Sequence, residues 1–305
     1  MSFTATVKEE VSKLKISETE KITELSAIIR NSIITPNDIK ITSENASVAR
    51  RIFSLIKDIY NINAQITIRH GYNYSKNMLY ILEIKQKVRV IIDDLGLKKT
   101  VPSEFIISDN DLERAYLRGL FLICGSINDP KTSMYHLEFI CDTEEYANFV
   151  SELLNNNLLK SKVLKRKNKY MVYIKEAEKI GDFLRIIQAS NAVLYFEDMR
   201  IYRDHKNMIN RINNMEQANV DKMIMAANEQ IRNIELIIDH GGLELLSDNE
   251  KEVAEYRMKY KEASLLELSE IISYETGKTI TKSGINHRIK KIKDLADRIR
   301  KLEEE

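Results

Sequence analysis

Residues 117–126 read Leu117-Arg118-Gly119-Leu120-Phe121-Leu122-Ile123-Cys124-Gly125-Ser126. This is an apolar helical run with one small residue, Gly119, where another backbone can come close. A weaker copy stands earlier, Leu25-Ser26-Ala27-Ile28-Ile29-Arg30-Asn31-Ser32, with Ala27 in the small position. Leu25 and Leu117 are 92 residues apart. Met78–Leu82 aligns with Tyr170–Ile174, and Val88–Ile92 with Ile180–Leu184, at the same offset of 92. Three segments sharing one offset predict a single unit present twice in the first 200 or so residues.

Each unit reads alike. An apolar helix (about 21–33, then 111–124) is followed by a strand (Ile39 to Thr42; His136 to Cys141). An amphipathic helix comes next: Ala46, Ala49, Ile52, Phe53 and Ile56 fall on one helical face, as do Tyr146, Phe149, Val150, Leu153 and Leu154. Two strands follow, Ala64 to Arg69 with Met78 to Ile84, and Ser161 to Lys165 with Lys169 to Lys175. Polar turns at 72–77 and 166–168 join them, and a helix closes each unit. Helices on antiparallel strands give an α+β class, and two such units predict a pseudo-dimer whose repeated apolar helices pack at Ala27 and Gly119.

The quoted stretch resembles the LAGLIDADG helix of homing endonucleases. In that family the last acidic residue of the motif binds the catalytic divalent metal. The corresponding positions here are Ser32 and Cys124. A hard cation is held by carboxylate oxygens, which a hydroxyl and a thiol replace poorly. The expectation is a retained fold with no catalytic residues, no metal and no cofactor. Asp129, the nearest carboxylate past the motif, lies beyond a turn and is a weak substitute. The five histidines (His70, His136, His205, His240, His287) and two cysteines show no metal-ligand spacing. Acidic pairs such as Asp93-Asp94 and Glu144-Glu145 read as solvated helix surface.

Residues 206–238 read as one or two helices. Val220, Met223, Ala227, Ile231, Ile234 and Ile238 form a narrow stripe suited equally to a coiled coil or to packing on the same domain. His240-Gly241-Gly242 reads as a flexible joint. Beyond it a three-helix pattern runs from about Asp248 to Tyr260, from Ser264 to Ile272, and onward from Thr281. Ser264 and Glu267 form a capping box. Ile285, Ile289, Ile292, Ala296 and Ile299 share a buried face on the last helix. At about 100° per residue, Ser283, Asn286, His287, Lys290 and Lys291 point outward. Lys282 to Lys301 holds eight Lys or Arg against two acids, a net of +6 in a chain of net +1. That is the charge pattern of a helix-turn-helix entering the major groove of DNA. Lys282, Ser283, Asn286, His287, Arg288, Lys290 and Lys291 are the expected contacts, with the cations meeting phosphates and the polar groups meeting base edges.

The 305 residues allow two or three domains, divided here at 1–102, 103–205, 206–242 (a linker helix) and 243–305. The composition, 43% hydrophobic and 30% charged, is that of a globular protein without a membrane span. The first ten residues carry acids and no apolar core, unlike a signal peptide. Two cysteines make no disulfide framework, so a reducing cytoplasm is expected.

The whole pattern resembles the WhiA family of bacterial DNA-binding regulators. The resemblance rests on 114–130, on Tyr135-His136-Leu137-Glu138, on Asn210 to Asn219, and on Lys282-Ser283-Gly284-Ile285-Asn286-His287-Arg288. It implies a tandem degenerate LAGLIDADG domain followed by an all-α helix-turn-helix domain, the latter resembling the promoter-reading domain of sigma factors. It also implies a role in sporulation, cell division or chromosome segregation. The expected partner is double-stranded DNA at promoters, with a second protein regulator also considered. Neither a membrane nor a small-molecule substrate is expected, and the site of action would be the nucleoid. The departure from the family is Asn31-Ser32-Ile33-Ile34, which lacks the glycine that follows the motif. Two alternatives stand beside this reading: a residual DNA endonuclease, and a protein-interaction scaffold localised by DNA.

Overall fold

The computed structural model describes residues 2–70, 78–132 and 134–303. The chain divides into two compact units, 1–205 and 206–305.

The first unit is two copies of one α+β module behind a short leading helix. Helix α1 (Phe3–Val11) buries Phe3, Val7 and Val11, spaced at four residues along one face. The first copy follows as α2 (Glu18–Arg30), β1 (Ile33–Ile34), β2 (Ile39–Ser43), α3 (Ala46–Tyr60), β3 (Gln65–His70), β4 (Met78–Ile84) and α4 (Val88–Asp94). The second runs α5 (Asn110–Cys124), β5 (Gly125–Ile127), β6 (Leu137–Cys141), α6 (Glu144–Asn156), β7 (Lys162–Arg166), β8 (Lys169–Ile174) and α7 (Ala177–Ile186). The two antiparallel sheets have matching orders, β1-β2-β4-β3 and β5-β6-β8-β7. The turn expected at 72–77 lies outside the described residues.

The constant offset of 92 is right for the motif helices and wrong for the strands. In one sheet Ser43 pairs with Tyr80, and in the other Cys141 pairs with Tyr170. Tyr80 and Tyr170 are therefore equivalent, 90 apart, while β2 and β6 stand 98 apart. The aligned β4 and β8 segments slip by two residues. An even slip keeps every side chain on its own face, which is why the hydrophobic pattern concealed it.

The motif helices α2 and α5 pack against each other. A methyl group at Gly119 would lie 2.4 Å from the Glu24 carbonyl oxygen and 3.0 Å from the Ala27 Cβ, so only glycine fits. Gly125 has the same constraint, since an added Cβ would sit 2.4 Å from the Phe121 ring. Ile33, at offset 92 from it, is exposed, and α2 ends earlier, at Arg30.

A polar network crosses the same packing. Arg118 is fully buried, its Nε donating to Glu24 Oε2 at 2.7 Å and one Nη to Glu20 Oε1 at 3.1 Å. Glu24, also buried, accepts from Arg51 Nε at 2.8 Å. The Arg118 and Ser17 hydrogen bonds hold the Glu20 carboxyl below its usual range against an opposing desolvation cost. Asn31 donates to the Tyr146 hydroxyl, which shares a hydrogen with Tyr116, both at 2.9 Å.

Helix α8 (Ser190–Asp239) begins in the first unit, where Ala192 and Phe196 are buried, and continues into the second. The second unit adds α9 (Asp248–Lys259), α10 (Leu265–Thr276) and α11 (Lys282–Glu303). Its core joins Ile234 and Ile237 of α8 to Leu246, Val253, Ala254, Leu268, Ile272 and the isoleucine face of α11. The last turns of α8 thus belong to this module. Gly242, with φ +81, ends α8 in a turn inside the unit, closed by its N–H donating to the Ile237 carbonyl. His240-Gly241-Gly242 is a corner between packed helices, which differs from the flexible joint expected from the glycines alone. The α8 stripe also divides: Ala227, Ile231 and Ile234 are buried, whereas Val220 and Ile238 are exposed and Ile237 takes the core place expected of Ile238.

Candidate nucleic-acid interface

Sequence makes the C-terminal helices stop and start where they do. Ser264 caps α10, accepting from Glu267 N while the Glu267 carboxylate accepts from Ser264 N at 2.7 Å, and hydrogen bonds from the Ser264 backbone and side chain to that carboxylate lower the Glu267 pKa. The helix ends four residues later than the expected Ile272, at Gly277 with φ +68, the left-handed conformation that glycine tolerates. Ser273 then fastens the turn, accepting from Ile280 N at 3.0 Å and donating to Ile280 O. Thr281 caps α11 through its hydroxyl, which accepts from Gly284 N at 3.2 Å.

On α11 the residues Ile285, Ile289, Ile292, Ala296 and Ile299 are all buried. Lys282, Ser283, Asn286, His287, Lys290 and Lys291 are exposed, as the helical spacing requires. Arg288 departs from the expected set: it is half-buried and paired with Glu252 of α9 at 3.5 Å. Glu252 also holds Lys278 at 3.2 Å. Lys291 faces outward but lies 3.3 Å from Glu250. Hydrogen bonds from Ser247 and Lys291 depress the Glu250 carboxyl, against desolvation that raises it. Lys293 pairs with Glu229, and Arg300 with Asp297. Among the described residues, Lys282 and Lys290 are the exposed cations of the expected contact set with no ion pair.

Sequence reasoning missed the acids that face these cations. The signal was present in Glu250 and Glu252, two residues apart on α9. It can be read only once α9 and α11 are known to pack in register.

The two metal-equivalent positions of the first unit are differently occupied. Ser32 Oγ donates to the Ile28 carbonyl at 2.9 Å, and Cys124 Sγ to the Leu120 carbonyl at 3.2 Å. Each group is turned back onto its own helix. Burial pushes the Cys124 thiol far above its usual range, and the neighbouring Cys141 thiol is pushed up to about 12 by the same cause. Thiolate ligation is therefore opposed at both. Helix α1 covers this end of α5: the Thr4 hydroxyl donates to Ile127 O at 2.7 Å and accepts from Ile127 N at 2.9 Å. Lys8 lies over the Phe121 ring at 5.6 Å, its pKa pushed down to about 8 by burial against the raising effect of Cys124 and Glu44. A cation already occupies this neighbourhood. Asp129 is engaged elsewhere, accepting from Lys131 N and from the Tyr195 hydroxyl. No cluster of three His, Cys, Asp or Glu suited to a metal exists among the described residues. The donor set does not fit a hard divalent cation, and no cleavage step is derived through one.

Family profiles match three stretches: the WhiA N-terminal LAGLIDADG-like domain at 18–98, the WhiA LAGLIDADG-like domain at 113–206 and the WhiA C-terminal HTH domain at 209–296. The probable cell division protein WhiA of Staphylococcus epidermidis is 43% identical, over 100% of this chain and 99% of its own length. Its Staphylococcus aureus counterpart is 42% identical with the same coverage. The crystal structure of full-length WhiA from Thermatoga maritima is similar with a TM-score of 0.58 and 26% identity, covering 98% of this chain and 99% of that one. The repeated motif modules, the C-terminal helical module and this full-length similarity agree: the chain belongs to the WhiA family.

Proposed function

We propose that this chain is a non-enzymatic, sequence-specific DNA-binding regulator acting at promoters in the cytoplasm, on the nucleoid. Its field is sporulation, cell division or chromosome segregation, and the name of its staphylococcal relatives points to division. The observation that carries this reading is the outward row of Lys282, Ser283, Asn286, His287 and Lys290 on α11, set opposite a fully buried isoleucine face. Two unpaired cations supply phosphate attraction, and Asn286 and His287 stand between them to meet base edges. Arg288 and Lys291 join the contact set only by exchanging Glu252 and Glu250 for phosphate. A second protein regulator would act on DNA already bound by this module.

Fluorescence anisotropy with the full chain and duplex promoter DNA, titrated with salt, tests the reading. Replacing Lys282 and Lys290 with alanine should weaken binding to all sequences and flatten the salt dependence by roughly 0.9 per lost phosphate contact. Asn286→Ala should instead reduce discrimination between cognate and random DNA, by about 1–3 kcal/mol. The comparison pair is Lys162→Ala with Arg166→Ala on the exposed strand β7, which should leave affinity unchanged. Equal losses from both pairs, or loss from the β7 pair alone, would move DNA binding to the first unit. Metal-dependent strand cleavage by the pure protein would overturn the non-enzymatic assignment.

A further inference from the structure

The central part of α8 is amphipathic and has nothing against it among the described residues. Every residue from 206 to 222 is exposed. Met208, Ile209, Ile212, Met215 and Val220 are between 41% and 62% exposed. At about 100° per residue they fall within an arc of roughly 140°, and the opposite arc holds Asn210, Asn213, Asn214, Gln217 and Asp221. A helix patterned in this way normally buries its apolar stripe. Contiguous apolar surface of this kind marks an interaction site.

Charge decides what covers it. Glu216 and Asn219 lie inside the stripe; Lys206 and Arg211 flank it toward the N-terminal end, and Lys222 alone borders it toward the C-terminal end. None of these four charged residues has an ion pair among the described residues. In a parallel pairing with a second copy, Glu216 would oppose Glu216 in the seam, a like-charge contact that costs stability. In an antiparallel pairing, the partner's basic end lies over Glu216, and this occurs twice because of the two-fold symmetry. The stripe is complementary to its own reverse.

We propose that residues 206–218 of α8 form a self-association surface, on which the same helix of a second copy of this chain packs antiparallel. The two-fold axis passes close to Ile212, which then packs on its own counterpart and on Ile209. The stripe is amphipathic, and the antiparallel arrangement places two basic residues near the acid within it while keeping that acid away from its own counterpart.

Sedimentation equilibrium of the full chain, without DNA, should show a monomer–dimer equilibrium. Ile212→Lys should abolish it. Glu216→Lys should weaken it about tenfold, roughly 1.4 kcal/mol. Mixing the Glu216→Lys chain with a Lys206→Glu, Arg211→Glu chain should restore association as a heterodimer. All these positions are exposed, so the variants should keep the parent circular dichroism, and that check accompanies each. Orientation is read by oxidation: Ile212→Cys should give a disulfide-linked dimer and Val220→Cys should not. A strictly monomeric parent chain, or a dimer indifferent to Ile212→Lys, overturns the proposal. Cross-linking at both cysteines overturns the antiparallel arrangement.

Discussion

Arg118 and Lys290 carry the same charge on helices that each contain a nearby glycine, yet one is sealed in the protein and the other stands in water. Arg118 is held between Glu24 and Glu20 in the packing of α2 on α5, with one Nη left without a partner. Lys290 has no acid within reach among the described residues. A buried ion must keep its partners, because desolvation has already removed its water. An exposed ion keeps its water and can exchange it for phosphate. The difference teaches that a charge on an apolar motif reports assembly, whereas a charge opposite an apolar face reports availability to a ligand.

The largest expected effect breaks this contrast at its buried end. Arg118→Ala should destabilise the first unit by about 3–5 kcal/mol, because it leaves Glu24 and Glu20 short of a partner. Lys290→Ala should change stability by no more than about 0.5 kcal/mol. Urea unfolding of both variants measures the two, and similar losses would erase the distinction.

The glycines should separate next. Gly119→Ala meets the Glu24 carbonyl and should cost about 1–3 kcal/mol as overpacking. Gly284 on α11 is different, since its added Cβ would only touch Ile280 and Thr281 at 3.5 and 3.6 Å. Gly284→Ala should raise stability by about 0.4–1 kcal/mol through helix propensity and a stiffer unfolded chain. Thermal unfolding of each variant gives the sign.

Glu252→Gln sharpens the comparison at the exposed end. It releases Arg288 and Lys278 for phosphate, so nonspecific DNA affinity should rise and its salt slope steepen. Stability should fall by less than about 1 kcal/mol, as for other partly exposed ion pairs. Unchanged binding would mean that Glu252 does not compete with phosphate.

The smallest effect is on pH dependence. The Leu236 carbonyl, followed by Glu303 at 2.7 Å, raises the His240 pKa. A raised folded pKa stabilises when the pH is below the unfolded value, about 6.5. That contribution is lost as pH climbs through the folded value. His240→Gln should therefore lower the melting temperature of the second unit at about pH 6 and leave it unchanged at about pH 9. An equal loss at both values would show that packing, rather than charge, is what His240 supplies.

Much of this architecture was legible in the chain. Periodicity placed the helices and the longer strands of both copies, though not the short β1 and β5, and Gly119 marked the close approach of the motif helices. The isoleucine face of α11 followed from spacing alone. Helix α1 was missed although Phe3, Val7 and Val11 carry the pattern, because nine residues at a terminus give little periodic signal. The partners of Arg118 were not legible either. Glu24 lies 94 residues away on the other motif helix, and only their packing brings the two together. The Glu252 partner of Arg288 was hidden for the same reason: helical phase tells which way a side chain points, but not which acid on another helix waits there.

The uneven spacing between the two halves has a consequence for how such a chain can change length. Between the copies, strands have shifted by one, two, five or six residues relative to the motif helices, and both sheets kept their order. The connections between elements absorb the added residues. A motif helix has no such tolerance. One residue inserted between Glu20 and Ala27 would rotate everything beyond it by about 100°. Glu24 or Ala27 would then turn away from Arg118 and Gly119. Deletion scanning across 18–30 and 110–124 should therefore find almost every length change fatal, while the turns between strands accept them. The paired motif helices are the part of this protein whose length cannot be edited.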